Sequence, residues 1–200
     1  RNAMKDCAVV FHLAAQISVP FSYKAPRSFI ATNLIGTQNI LDAALDLGTE
    51  RVVTISSSEV YGTAQSVPIN EGHPLSAQSP YAAGKIAADQ LALSYHRSYG
   101  LPVTLVRPFN TYGPGQSARA IVSTLITQAL ASKEVRIGNP KPIRDFTYVD
   151  DVAAGIIACG LAESTVGEVV NLASGQGISI GDLAELVLKI THSEAEIVYE

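Results

Sequence analysis

Cysteine is scarce in this chain: Cys7 and Cys159 are the only two among 200 residues. Their separation gives neither a metal-ligand spacing nor a disulfide framework, and no metal site is expected. Each stands in an apolar neighbourhood, so both are expected as buried free thiols of a reducing compartment. No apolar run approaches the roughly twenty residues that span a bilayer, and no charged-then-apolar leader opens the chain. A cytoplasmic protein with no membrane partner is the expectation. Basic residues are not clustered, and 14 Lys and Arg against 18 Asp and Glu leave a net charge of −4. That balance gives no electrostatic footprint for nucleic acid. Repeats and low-complexity segments are missing too. What remains is 47% hydrophobic and 16% charged, the composition of a globular protein long enough to bury a sizeable core.

Apolar runs alternate with helical patterns along the chain. Ala8 to Leu13, Arg51 to Ser56, Leu101 to Arg107 and Val169 to Ala173 read as strands, the first three as buried ones. Helices are expected over Phe29 to Leu45, stopped by Gly48, and over Tyr81 to Tyr99, closed by Gly100. Further helices fit Arg119 to Ser132, Asp150 to Ala162 and Leu183 to Ile190, the last behind a capping box at Ser179 to Asp182. Strand-helix alternation argues for a parallel α/β sheet. Gly175-Gln-Gly177 looks like a dinucleotide-binding glycine turn, but its third glycine is one place late, so a turn and helix cap is expected there. His12, inside the first strand, reads as a core histidine bonded to backbone before it reads as catalytic. Asn33 falls inside a helix, where facing solvent and capping a local backbone group are equal expectations.

One stretch concentrates chemistry. The strand ending at Ser56 is followed by Ser57-Ser-Glu-Val-Tyr-Gly62, and Tyr81-Ala-Ala-Gly-Lys85 opens the next long helix. Tyr81 and Lys85 at i and i+4 share a helix face. An ammonium beside a phenol favours the phenolate, so the pair is expected to act as a general base with a lowered phenol pKa. Ser57, just past a strand end, sits where open parallel sheets place ligand crevices. Glu59, two residues on along an extended loop, would point to the same side.

With those residues in view, the chain resembles the extended short-chain dehydrogenase/reductase family of nucleotide-sugar epimerases, dehydratases and decarboxylases. The likeness runs through Phe11-His-Leu-Ala-Ala15, Asn33 with Gly36-Thr37, Ser57 to Gly62, Tyr81 to Lys85, Arg107-Pro-Phe-Asn-Thr-Tyr-Gly-Pro114 and Arg144-Asp-Phe-Thr-Tyr-Val-Asp150. The resemblance implies a Rossmann-type doubly wound parallel sheet with part of a smaller C-terminal substrate domain. Residues 1–110 would form a partial NAD-binding domain, and 111–200 a mixed segment with substrate-binding elements and further strands. Tyr81 would be the base, Lys85 the ribose-binding ammonium, and Ser57 the partner of the sugar's 4-hydroxyl. Leu13, Ala14, Ala15, Asn33, Pro108 and Phe109 would border NAD, while Ser58, Asn110, Arg119 and Arg144 would face a nucleotide-diphosphate sugar. Arg144 suits a diphosphate on physical grounds, since a guanidinium fork matches phosphate geometry. The competing reading of Arg144 is a surface salt bridge with Asp145.

Glu59 narrows the reaction. A 4-ketone formed by hydride loss acidifies C5–H; a carboxylate able to take that proton drives loss of water from C6, and a simple 4-epimerase needs no such base. The sequence therefore looks most like the 4,6-dehydratases, closest to bacterial ones acting on N-acetylglucosamine nucleotides. Ser58 stands where some dehydratases carry an aspartate, as in the GDP-mannose dehydratase group, which leaves Glu59 to serve both steps. A UDP-glucuronate decarboxylase is the second reading, because that group also pairs Ser-Glu with an arginine placed like Arg119; a 4-epimerase is the third. The family's glycine-rich first βα turn is not found, so the first βαβ unit is expected to be missing and the chain to be a piece of a longer enzyme. A truncated, non-catalytic binding protein is the alternative of another class. A homodimer is expected through a four-helix bundle of the helices at 33–47 and 81–99, on Ala87, Ala88, Leu91 and Ala92.

Overall fold

The computed structural model describes residues 1–200, which divide into two compact units: residues 1–109 with 153–172, and residues 110–152 with 173–200. In the first unit, strands β1 (Val9–His12), β2 (Arg51–Ile55), β3 (Val103–Pro108) and β7 (Val169–Leu172) form one parallel sheet in the order β1-β2-β3-β7. Its central strands β2 and β3 are buried almost along their full length, which is why they read as unbroken Val-rich runs rather than alternating ones.

Successive strand residues face opposite sides of the sheet. Val52, Val103 and Leu105 meet helices α3 (Gly36–Leu47) and α4 (Pro80–Tyr99) through Leu41, Ala44, Ala92 and Leu93. On the other side, helix α6 (Val149–Leu161) lies so close that a Cβ on Gly160 would be 2.6 Å from Phe11 and one on Gly155 3.0 Å from Leu172. The first unit is thus wound on both faces. Truncating the fully buried Leu105 to alanine would cost about 2–5 kcal/mol.

Short helices α1 (Val19–Ser22) and α2 (Pro26–Phe29) follow β1, and the chain then passes through a π-helical stretch, Ile30–Ile35, before α3. The expected single helix from Phe29 is therefore a broken one. Ser79 caps α4 by accepting from the Ala82 N–H at 3.0 Å, Pro80 takes the first helical position, and Gly100 ends the helix at φ 70°.

In the second unit, β4 (Asn110–Tyr112) pairs parallel with β6 (Ile143–Tyr148), and β6 pairs antiparallel with β8 (Gly177–Ser179). A separate parallel pair joins β5 (Glu134–Ile137) to β9 (Glu196–Tyr199). Helices α5 (Ile121–Ala131) and α7 (Ile180–Thr191) share a core of Val122, Leu125, Leu183, Ala184 and Val187. Ser179 caps α7, accepting from the Asp182 N–H at 3.0 Å, so the glycine-rich segment before it is the turn and cap expected.

Two expectations fail here. Cys159 is buried but Cys7 is exposed, because it precedes β1 in the turn after Met4 instead of joining the strand. Ala88 and Ala92 are only 3% and 0% exposed, packed within their own unit, and so offer nothing to a dimer face on α4.

Candidate active site

The carboxyl end of β2 and the first turns of α4 converge. After Ile55 the chain turns into a 3-10 helix, Ser58–Tyr61, with Ser57 as its N-cap accepting from the Glu59 N–H at 3.2 Å. The extended loop expected at Ser57 to Glu59 is thus a tight turn, and the same-side argument for the two residues does not hold. Both nevertheless act on the Tyr81 phenol: the Ser57 hydroxyl favours its ionisation, and the Glu59 carboxylate opposes it. Accepting from the Glu59 N–H with one lone pair leaves the Ser57 hydroxyl its proton and a second lone pair for another partner. Ser58 is half-buried and Glu59 exposed at this turn.

Burial raises the Tyr81 phenol above its ordinary pKa, Ser57 lowers it, and Glu59 and Asp89 add to the rise. The expected net lowering by Lys85 is not found. Lys85 is buried on the same helix and donates to the Ile55 carbonyl at 2.8 Å, so its ammonium stands at the β2 end, two residues before Ser57. Burial lowers the Lys85 pKa and Asp89 raises it. Gly62 closes the turn at φ 65°, and a Cβ there would lie 2.3 Å from the Ser76 carbonyl oxygen.

At the end of β1 a second network fixes the turn Leu13, Ala14, Ala15. Asn33, 1% exposed, accepts from the Gln16 N–H at 2.8 Å and donates to the Gln16 carbonyl at 3.0 Å. Its carboxamide is therefore spent on the main chain beyond Ala15, and neither expectation for it, solvent or a local cap, describes this bridge across 17 residues. Thr37 donates to the Asn33 carbonyl at 2.6 Å and so accepts from His12 Nε2–H at 3.0 Å. Burial and the nearby Lys85 lower the His12 pKa, consistent with a neutral ring bonded to a hydroxyl and not to backbone. Leu13 and Ala14 remain exposed beside it.

Sequence reading missed the groups behind this centre. Asp89 continues the helix face of Tyr81 and Lys85 by another four residues, and Arg107 ends the buried run of β3. Arg107 Nε and Nη2 both donate to Asp89 Oδ2, at 3.1 and 2.9 Å, and Nη1 donates to the Tyr61 hydroxyl at 3.0 Å. Tyr61 in turn donates to Asn171 Oδ1 at 2.7 Å. The i+4 spacing and a charged residue closing an apolar strand were the available signals. Pro108 pairs with Leu172, and the Phe109 ring stands 6.5 Å from that of Tyr61.

In the second unit, Asn110 begins β4 opposite Phe146. Arg119 is exposed ahead of α5. Arg144 is exposed too, and its guanidinium donates to the Ile143 carbonyl at 2.9 Å. Its supposed partner Asp145 is occupied elsewhere, accepting from Ser174 N–H and Oγ at 2.8 and 2.7 Å and from Gly175 N–H at 2.8 Å. The salt-bridge reading of Arg144 is overturned.

The family model described as GDP-mannose 4,6 dehydratase matches residues 3–198. A dTDP-glucose 4,6-dehydratase of Actinoplanes sp. is 38% identical over 181 residues, 90% of this chain and 56% of the relative. A UDP-N-acetyl-alpha-D-glucosaminuronate decarboxylase of Bacillus cytotoxicus is 38% identical over 214 residues, all of this chain and 65% of the relative. The structure of MoeE5 in complex with UDP-glucose and NAD superposes with a TM-score of 0.91 at 32% identity, over all of this chain and 67% of that one. The chain thus spans little more than half the length of the dehydratase it matches. Nearly end-to-end agreement with the family model, on a parallel sheet with Ser57 just past the end of β2 and Tyr81 and Lys85 on the helix α4, makes this chain a member of the GDP-mannose 4,6-dehydratase family within the extended short-chain dehydrogenases/reductases.

Proposed function

We propose that the protein to which this chain belongs is an NAD-dependent nucleotide-sugar 4,6-dehydratase. The observation that carries the reading is that the helix bearing the buried Tyr81 and Lys85 is tied by Lys85 to the Ile55 carbonyl, immediately before the turn that carries Ser57 and Glu59. The residues fit the nicotinamide-ribose end of the dinucleotide: an ammonium held at the β2 end, and a segment of small side chains at Ala14 and Ala15 next to Gln16, whose backbone Asn33 pins. Leu13, Pro108 and Phe109 are the apolar residues assigned to border that cofactor. NAD held there would supply the hydride acceptor for sugar C4 and the hydride donor for C6.

The chain's own groups handle the protons. Ser57 orients the sugar's 4-hydroxyl and favours the Tyr81 phenolate, Tyr81 accepts the hydroxyl proton, and Lys85 holds ribose hydroxyls. Glu59, exposed at its turn, takes the acidified C5 proton and then protonates the departing C6 hydroxyl, since Ser58 supplies no acid. Arg144 and Arg119 grip the diphosphate of a nucleotide-diphosphate sugar, and Asn110 and Ser58 contact the sugar. An N-acetylglucosamine nucleotide is the assigned substrate class. Homodimerisation through α3 and α4 belongs to the same reading, now resting on Ala87, Leu91 and the exposed Leu45, Leu47 and Tyr99. A cytoplasmic location completes it.

Incubating the full-length protein and NAD with UDP- or GDP-N-acetylglucosamine tests the proposal. A 4-keto-6-deoxy product supports it; no turnover of any nucleotide sugar with NAD bound overturns it. The decarboxylase reading keeps one specific support, an exposed arginine at position 119 in a sequence that also carries Ser57 and Glu59, and carbon dioxide release from a UDP-hexuronate would decide for it.

A further inference from the structure

The pair Asp89 and Arg107 is 1% and 3% exposed at the side chain, and nothing in the proposed proton transfers uses it. Burying two charges costs several kcal/mol per ion before their attraction repays it, so such a pair is a poor stabiliser. Its place suggests another use. Asp89 follows Lys85 by four residues on α4, which puts a carboxylate within reach of the ammonium on the same helix face. Yet Lys85 bonds the Ile55 carbonyl and Asp89 bonds Arg107.

We propose that Arg107 is a positioning residue for Lys85 that acts through Asp89: by holding the Asp89 carboxylate it leaves the Lys85 ammonium on the Ile55 carbonyl, at the strand end where Ser57 meets Tyr81. The inference rests on the roles given above to Tyr81 and Lys85. Both Arg107 bonds to the carboxylate fall on Oδ2. The other oxygen, Oδ1, lies near the Ser56 hydroxyl without closing a well-formed hydrogen bond, and is the atom a released Asp89 would offer to Lys85. Arg107 is itself held from behind by the Tyr61 hydroxyl, and its guanidinium carbon stands 5.0 Å from the Tyr61 ring centroid. Tyr61 is tied to Asn171 on β7, so the arginine cannot follow the carboxylate toward solvent. The charged and titratable groups around Lys85 are His12 from β1, Asp89 from its own helix and, through Asp89, Arg107 from β3; Glu59 and Asp89 act on Tyr81.

The test follows the Lys85 ammonium directly. This chain has six lysines, few enough for 15N-lysine NMR to follow their side-chain titrations, with Lys85→Arg assigning the signal. Arg107→Met frees the anion and is expected to move the Lys85 titration to higher pH. Asp89→Asn removes the anion and leaves Arg107 uncompensated, moving it lower. The double variant Arg107→Met/Asp89→Asn replaces the charged pair by a neutral one and is expected to return the titration to its original position. In the full-length enzyme, kcat of Arg107→Met falls at least about tenfold with KM nearly unchanged and the acid limb of the pH profile displaced upward, and the double variant recovers both. An unmoved Lys85 titration in Arg107→Met, or a double variant that folds and stays displaced, overturns the inference. If Arg107→Met does not fold, Asp89→Asn and the double variant decide it on the same shifts. A wild-type enzyme inactive on every nucleotide sugar would sink the functional proposal, while the lysine titration would still decide whether Arg107 positions Lys85.

Discussion

Asn33 and Gln16 hold each other reciprocally, Gln16 N–H to Asn33 Oδ1 at 2.8 Å and Asn33 Nδ2 to the Gln16 carbonyl at 3.0 Å. The asparagine reaches the turn from the π-helical stretch between α2 and α3, a local geometry frequent at functional sites because it re-aims one side chain. Asn33→Ala breaks both bonds and leaves two backbone groups without partners, so a loss of about 1–3 kcal/mol in unfolding free energy is expected. In the full-length enzyme the KM for NAD should rise about tenfold while kcat changes little, because the turn is loosened and the proton-transfer groups stay in place. Urea unfolding and a cofactor titration check the two halves.

Glu59 separates the steps of the proposed reaction. Glu59→Gln is expected to lower overall turnover by about 100-fold or more, the usual worth of a positioned acid or base. Deuterium wash-in at sugar C5 from heavy water should disappear with it. Because the residue is exposed at its turn, thermal stability should stay within about 0.5 kcal/mol of the parent.

His12 sets an acid limit. Its folded pKa lies below the ordinary 6.5, so the unfolded chain binds the proton more readily. The stability tied to the neutral ring is present above pH 6.5 and is lost as pH falls through the folded value. His12→Gln keeps a donor for Thr37 but takes up no proton, and should flatten the dependence of unfolding free energy on pH below 6.5. Equilibrium unfolding from pH 7.5 to 5 measures it.

Tyr95 sets an alkaline one. Its hydroxyl donates to the Asp42 carboxylate between α4 and α3, and that bond pushes its pKa up to about 12. The raised value means that its contribution is complete below pH 10 and is lost as pH climbs toward 12. Tyr95→Phe is expected to cost about 1–2 kcal/mol at pH 7, with the gap to wild type narrowing above pH 10 in denaturant titrations.

The sheet was legible because β2 and β3 are buried on both faces and therefore carry Val, Ile and Leu without interruption. Helix α4 announced itself through Ser79, Pro80 and Gly100, residues that act locally. Short elements were harder. β4 and β6 pair across more than thirty residues, and nothing in the turn-rich Asn110-Thr-Tyr112 or in Arg144-Asp-Phe146 reveals a partner so distant. The π-helical stretch is likewise invisible, since apolar spacing from Phe29 to Leu45 suits an unbroken helix about as well. In the site, the identities of Ser57, Glu59, Tyr81 and Lys85 could be read from the sequence and their relation could not. A tight turn replaced the assumed extended loop, and burial raised the Tyr81 pKa where the ammonium was expected to lower it. The pairing of Arg107 with Asp89 escaped notice because eighteen residues separate the two and neither names the other as its partner.

Ser76 donates to the Val60 carbonyl at 2.9 Å just where Gly62 passes beneath the Ser76 oxygen, so two strands of loop cross there at backbone distance. The crossing acts as a pin for the loop of thirteen or so residues between its two sides, which is also held from within by His73 against Tyr61 and by Glu71 on the Asn171 N–H. A methyl group at position 62 would have to lift Ser76 away and would drag the turn that carries Glu59 with it, so a library randomised at that position should return glycine alone.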